Sequence, residues 1–232
     1  MSLKNSKYAT YNAAMELLKT VEVETGTNVN AAVIWLHGLG SNGHDFEPII
    51  PQLKLPGEKS ARFILPHASS IPITINGGMV MPAWFDILQH GERHIDAGQL
   101  LSSAAAIHKL IDREIERGIA SDQIILVGFS QGGAVCLQAG LTYDKPLAGI
   151  LGLSTFFPSA EVITPHPSNG SLAIQIFHGT MDTMLPEWMA ENTVKYLKKL
   201  GYHPHYKTYP MPHSVCPEEI EDISLWIQDR LL

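Results

Sequence analysis

One serine in the stretch LVGFSQGG, residues 126–133, lies between small residues at the point where an apolar run ends. Gly128, Ser130 and Gly132 fit the pattern G-x-S-x-G, which holds a nucleophilic serine on a sharp turn between a strand and a helix. Glycine is also common at such turns for packing alone, because it accepts tight backbone conformations. The apolar strand predicted before Ser130 and the helix predicted after it favour a nucleophile over a packing turn.

A serine nucleophile needs a base, and the base needs an acid that orients it. In chains with this turn, the acid and then a histidine follow the serine. Asp182 directly follows a predicted strand, so it is expected at the same sheet edge as Ser130. Asp144 precedes a strand, whereas Asp222 and Asp229 fall inside the predicted last helix. Asp182 is therefore the predicted acid.

The eleven histidines can be sorted by the same reasoning. His213 follows the predicted strand HYKTYP and precedes the last helix, so it is expected to reach Ser130. His203 and His205 stand at the start of that strand, at the opposite edge of the sheet. Most of the other histidines are interpreted as surface or hydrogen-bonded structural residues. His213 is the predicted base.

An acyl-transfer intermediate also needs donors for its oxyanion. The stretch HGLG, residues 37–40, follows the first strong apolar run and supplies a glycine-rich turn with available backbone N–H groups. The backbone N–H of Gln131, next after the nucleophile, is the second candidate donor.

Metal chemistry and thiol chemistry are alternatives to a serine mechanism. The chain has no H-E-x-x-H motif and no cysteine pair at zinc-finger spacing, and His203 with His205 forms only a weak chelating pair. Cys216 lies close to His213, but the turn at Ser130 supplies a better-placed nucleophile, so Cys216 is expected to pack the start of a helix. No metal and no cofactor is predicted.

Composition narrows the class of protein. The 232 residues carry a formal charge of -7, with 45% hydrophobic and 17% charged residues, which argues against nucleic acid or an anionic membrane as the main partner. The chain has no apolar run near the roughly 20 residues that span a bilayer, and the polar N-terminus lacks an apolar signal core. Two cysteines make no disulfide framework. We expect one cytoplasmic domain over residues 1–232, with residues 1–15 poorly ordered.

Short apolar runs alternate with helical patterns along the chain. Six segments are predicted as strands: 31–36, 62–66, 123–129, 147–154, 172–179 and 205–210. One helical pattern runs from Leu100 to Ile115 and ends at Gly118. Further helices are predicted from about Gly132, Glu187 and Pro217. This alternation predicts an α/β fold with a mainly parallel, doubly wound sheet and helices on both faces.

With these residues assembled, the chain resembles the carboxylesterase and acyl-protein thioesterase family of small α/β-hydrolases, the phospholipase/carboxylesterase group. The resemblance rests on six stretches in family order: VIWLHGLGSNGHDF, FILPHASSIPITINGGMVMPAWFDI, IILVGFSQGGAV, LAGILGLSTFFP, HGTMDTMLP and YKTYPMPHSVCPEEI. The NGGMV loop looks more like the bacterial carboxylesterases. Phe156 stands where eukaryotic thioesterases of the group often carry tryptophan.

The resemblance implies an α/β-hydrolase fold with Ser130, Asp182 and His213 as triad. The segments at the triad edge predict no separate lid domain. It also implies Leu39 and Gln131 as backbone oxyanion donors. The residues that it implies around an apolar acyl site are Ile73, Ile75, Trp84, Phe156 and Met184.

The sequence thus predicts a serine hydrolase that cleaves carboxylic esters or thioesters through an acyl-enzyme. Its expected substrate is a small-molecule or lipid acyl ester, or an acylated protein. A lysophospholipase or an acyl-protein thioesterase is the alternative within this chemistry, and a catalytically silent binding protein is the alternative outside it. The segment 155–171 is too rich in proline and glycine for a lid helix. The loop 69–85 is expected to flex beside an open groove, with Trp84 near its wall.

Overall fold

The computed structural model describes residues 16–56, 60–89 and 94–231. The strands are β1 Thr20–Glu24, β2 Ala31–Leu36, β3 Ala61–Pro66, β4 Ser70–Ile73, β5 Met79–Pro82, β6 Ile124–Phe129, β7 Gly149–Leu153, β8 Ile174–Gly179 and β9 His205–Tyr209. The α-helices are α1 Ala97–Glu116, α2 Gln131–Thr142, α3 Glu187–Lys199 and α4 Pro217–Arg230. The expected disorder of residues 1–15 lies outside the described residues.

A seven-stranded sheet of order β1-β3-β2-β6-β7-β8-β9 forms the centre of the fold. Strand β1 pairs antiparallel to β3, and the other neighbours pair in parallel. The predicted α/β class and parallel sheet are therefore confirmed. Strand β2 has β3 on one side and β6 on the other, so the strand order reverses between β2 and β6. The carboxyl ends of strands at such a reversal form a crevice in which α/β proteins bind ligands.

Strand β2 shows how both faces of the sheet are buried. Its residues AAVIWL are all buried, and alternate side chains enter different cores. Ala32, Ile34 and Leu36 pack with residues of α1, α2 and α3. Val33 and Trp35 pack on the opposite face with residues of α4 and of the 3-10 helix Glu47–Leu53. The helices on the two faces exclude water from the centre of the sheet, which explains why the central strands β2, β6 and β7 are continuous apolar runs.

Helix α1 is tied to the edge of the sheet by a buried carboxylate. Glu114 has no exposed side-chain surface and forms ion pairs with Arg62 on β3 at 2.7 Å and with Arg113 and Arg117 at 2.9 and 3.0 Å. The helix ends at Glu116, and Gly118 follows with φ of 96°, a conformation that favours glycine.

Two elements differ from the sequence expectations. Strand β1 was not predicted, and it extends the sheet beyond β3. The segment 69–85, expected as a flexible loop, contains the antiparallel hairpin of β4 and β5, in which Ile73 pairs with Met79. The 3-10 helix Thr74–Asn76 connects the two strands together with Gly77 and Gly78, which have φ of 66° and 80°. Ladder hydrogen bonds therefore order residues 70–73 and 79–82 of the segment.

Candidate active site

The nucleophile turn connects β6 to α2. Ser130 has φ of 54° and ψ of -120°, a strained conformation for a residue with a side chain. A Cβ atom on Gly128 would lie 2.5 Å from the backbone of Gly132, and one on Gly132 would lie 2.6 Å from the carbonyl oxygen of His37. Thr155 Oγ1 donates a hydrogen bond of 2.7 Å to the Ser130 carbonyl oxygen. The glycines make the turn sterically possible, and Thr155 helps to hold it.

The three residues of the predicted triad meet at this edge of the sheet. His213 Nε2 lies 3.0 Å from Ser130 Oγ, and His213 Nδ1 lies 2.6 Å from Asp182 Oδ2. The Phe129 ring packs 4.8 Å from the imidazole, measured between centroids. If the proton is on Nδ1, it is donated to the carboxylate, and Nε2 is left free to accept the serine proton. The geometry suits activation of Ser130 as a nucleophile.

The carboxylate of Asp182 is fixed by the loop after β8. Its side chain is fully buried, and Oδ1 accepts hydrogen bonds from the backbone N–H groups of Met184 at 2.9 Å and Leu185 at 2.8 Å. His178, also fully buried, donates from Nε2 to the Leu185 carbonyl oxygen at 2.8 Å. His178 therefore supports the loop that holds the acid. Sequence reasoning missed this contact. The only local signal is the position of His178 at the end of β8, directly before Gly179 and the loop that carries Asp182.

The expected oxyanion donors flank the reversal of strand order. Leu39 lies in the turn after β2, and Gln131 is the first residue of α2, so its N–H has no partner within the helix. In the ranges that the structure describes, the Leu39 N–H donates to no backbone carbonyl. Both donors are therefore free of competing backbone acceptors.

His37 begins the oxyanion turn and is buried. Ala68 N–H donates to its Nε2 at 3.1 Å, so the ring proton lies on Nδ1, which donates to the Gly38 carbonyl oxygen at 2.7 Å. Burial lowers the pKa of His37. A neutral imidazole with both nitrogens engaged is a fixed part of the turn.

The five residues expected around an acyl site differ in exposure. Ile73, Trp84 and Phe156 are buried, with 0%, 3% and 6% of their surface exposed, whereas Met184 is 74% exposed and Ile75 is half-buried. Ile73 and Trp84 therefore present almost no surface to an acyl chain. The roles of all five residues stay predictions.

The other histidines and the cysteines lie elsewhere. His205 begins β9 and pairs with Gln175, at the edge of the sheet opposite Ser130, and His203 immediately precedes it. Both cysteines are free, and burial raises the pKa of Cys136 well above its usual range.

Among residues 16–56, 60–89 and 94–231, no group of three or more His, Cys, Asp or Glu residues is arranged to hold a metal ion. Within the same ranges, no helix is both long and apolar enough to cross a membrane.

The sheet order, the turn after β6 and the acid and histidine after β8 and β9 define an α/β-hydrolase. The chain belongs to the phospholipase/carboxylesterase family, which matches residues 19–231. It is a hydrolase of carboxylic esters or thioesters.

Relatives and solved structures agree with this family. Acyl-protein thioesterase 1 of Gibberella zeae is 39% identical in an alignment that covers 87% of this chain and 91% of that protein. Acyl-protein thioesterase 1 of Cryptococcus neoformans is 36% identical in an alignment that covers 92% of this chain and 98% of that protein. The crystal structure of Arabidopsis thaliana SOBER1 matches with a TM-score of 0.82 at 32% identity, covering 87% and 99%. The Bacillus cereus carboxylesterase, at 18% identity and a TM-score of 0.74, covers 97% and 100% and shares the fold.

Proposed function

We propose that Ser130, His213 and Asp182 carry out acyl transfer to water. The observation that carries this proposal is the continuous hydrogen-bonded chain from Asp182 Oδ2 through His213 to Ser130 Oγ, at 2.6 and 3.0 Å. Each distance is within the range that proton transfer requires. The strained backbone of Ser130 and the buried Asp182 support the same assignment, because strain at a functional residue persists only where the surrounding structure enforces it.

The reaction has two half-reactions. His213 Nε2 takes the proton of Ser130 as Oγ attacks the carbonyl carbon, and the oxyanion forms between the N–H groups of Leu39 and Gln131. His213 then gives the proton to the leaving alkoxide or thiolate, and the acyl-enzyme remains. A water molecule, deprotonated by His213, attacks this ester, and the proton returns to Ser130 as the acid leaves. Asp182 holds the imidazole tautomer and stabilises its positive charge in both steps.

The substrate that we propose is a lipid acyl ester or an acylated protein, with a thioester of an acylated cysteine as the first candidate. Relatives named acyl-protein thioesterase support it. Met181 and Met184 flank Asp182 and are 54% and 74% exposed, so apolar surface for an acyl chain lies beside the triad. We propose the cytoplasm as the compartment, supported by the two free cysteines.

Steady-state kinetics on matched esters and thioesters of increasing acyl length tests this function. Each added methylene is expected to raise kcat/KM by about fourfold while apolar surface buries it, from roughly 0.8 kcal/mol per methylene. Ser130→Ala is expected to lower kcat on the order of 10⁶-fold on every substrate. A plateau at two or three carbons would contradict the lipid acyl substrate, and a Ser130→Ala variant with most of its activity would contradict the mechanism.

A further inference from the structure

The two proposed oxyanion donors come from separate parts of the chain. Leu39 follows β2 and Gln131 begins α2, so no single turn fixes the distance between their N–H groups. Stabilisation of an oxyanion requires donors held about 2.7–3.1 Å from the oxygen in the transition state. Contacts that join the two halves therefore bear directly on the rate.

The segment 82–85, which we call the strap, contacts both halves. On the first half, Gly40 N–H donates to the Pro82 carbonyl oxygen at 2.8 Å. The Trp84 indole N–H donates to the His37 carbonyl oxygen at 2.9 Å, and the indole packs 5.2 Å from the His37 ring, measured between centroids. These contacts fix the strap to the turn that carries Leu39.

The side chain of Gln131 fixes the strap to the second half. It is 1% exposed, its Oε1 accepts from the Trp84 backbone N–H at 2.8 Å, and its Nε2 donates to the Phe85 carbonyl oxygen at 2.7 Å. A primary amide provides a donor and an acceptor in one plane, which no aliphatic side chain of similar length can do. Behind the strap, Ser103 Oγ donates to the Trp84 carbonyl oxygen at 2.5 Å.

We propose that the Trp84 indole N–H and the Gln131 side-chain amide are positioning groups that hold the two oxyanion donors at the spacing of the transition state. The proposal rests on the proposed function, in which Leu39 and Gln131 donate to the oxyanion. Trp84 acts through the His37 carbonyl and Gln131 acts through the strap, so this role requires no contact of either side chain with the substrate. Their effect falls on kcat, because the spacing matters only once the oxyanion has formed.

Trp84→Phe tests this positioning, because it removes the indole N–H and keeps an aromatic ring. We expect kcat to fall about tenfold, less than the roughly 10²- to 10³-fold loss when a donor is removed outright. Affinity for an alkyl boronic acid, whose tetrahedral adduct on Ser130 mimics the intermediate, is expected to fall by the same factor. The KM of a short ester is expected to stay within about twofold.

Trp35→Phe is the matched control. Trp35 lies on β2, and its indole nitrogen is buried without a hydrogen-bond partner among the described residues, so the same substitution removes no hydrogen bond. We expect its kcat and boronate affinity to stay within about twofold of the parent. Equal losses in the two variants, or no loss in Trp84→Phe, would overturn the positioning role. Retention of activity in Ser130→Ala would instead overturn the proposed function, so the two failures are distinguishable.

Gln131→Glu provides a second variant of nearly unchanged shape. A protonated carboxyl group donates to the Phe85 carbonyl oxygen and accepts from the Trp84 N–H, whereas an ionised carboxylate has no proton to donate. The ratio of variant kcat to parent kcat is therefore expected to fall as the pH rises. A ratio that is constant with pH would contradict the positioning role of the amide, even if Trp84→Phe does not fold.

Discussion

The buried carboxyl group of Glu219 makes the stability of the protein depend on pH. Glu219 lies in the first turn of α4, and none of its surface is exposed. Burial raises its pKa from 4.5 to about 8; the backbone N–H of Cys216 opposes the rise, and the charge of Asp222 adds to it. The folded protein therefore holds a proton that the unfolded chain releases above about pH 4.5.

The direction and size of the effect follow from this difference. The contribution to stability is complete below about pH 4.5 and is lost as the pH rises through about 8. At roughly 1.4 kcal/mol per unit of pKa, the difference corresponds to at most about 5 kcal/mol. Burial lowers the pKa of His37 and of His108, so their effect on stability has the opposite sign to that of Glu219. The protein loses stability through these histidines as the pH falls below 6.5.

Urea unfolding between about pH 5 and about pH 9 measures the effect in the parent and in Glu219→Gln. The histidine contributions are common to both proteins, so the difference in their free energies of unfolding isolates Glu219. We expect the two proteins to differ little near pH 5 and the variant to become the more stable one as the pH rises towards 9. Glu218→Gln, the same change at the exposed neighbour, is the control and is expected to follow the parent. Parallel curves for the parent and Glu219→Gln would refute the reasoning.

Three further substitutions have expected outcomes. Glu114→Ala removes the shared partner of three arginines and is expected to cost about 3–5 kcal/mol in urea unfolding; a loss below about 1 kcal/mol would contradict the buried ion-pair account. Asp182→Asn is expected to lower kcat by roughly 10⁴-fold with little change in KM, because the imidazole tautomer is lost, and near-normal turnover would contradict that role. Replacing His203 and His205 with Gln is expected to leave kcat within about twofold, and a double variant as inactive as His213→Ala would show that the base is misassigned.

The sequence predicts the positions of strands correctly where a local run of apolar residues is also buried in the fold. Strands β2 and β6 are continuous apolar runs and β8 is buried throughout, so the positions of these three strands are predicted within one or two residues. Their alternation with helical patterns predicts the parallel sheet. Because parallel strands end at one edge, the same reasoning selects Asp182 and His213 among many aspartates and histidines. The structure then brings His213 within hydrogen-bond distance of Ser130 and Asp182 within hydrogen-bond distance of His213. That the whole chain is a single domain stays a prediction.

The elements that the sequence does not reveal depend on distant partners. Strand β1 has half-buried and exposed residues, and its pairing with β3 joins Thr20 to Pro66. Prolines and two adjacent glycines make the β4–β5 hairpin look like a loop. The burial of Trp84 follows from a hydrogen bond to a carbonyl 47 residues away, and that of Glu114 from an arginine 52 residues away. No local sequence pattern predicts the hydrogen bond of Trp84 to His37 or the ion pair of Glu114 with Arg62.

Covalent labelling with a fluorophosphonate, read by intact-protein mass spectrometry and peptide mapping, tests the central claim most directly. The phosphorus reagent loses fluoride to the activated serine and leaves a stable tetrahedral adduct. We predict one adduct per chain on Ser130, slower labelling in His213→Ala, and none in Ser130→Ala. An adduct on another residue of the parent, such as Cys216, or unchanged labelling of Ser130→Ala would contradict the assignment of Ser130 as the nucleophile.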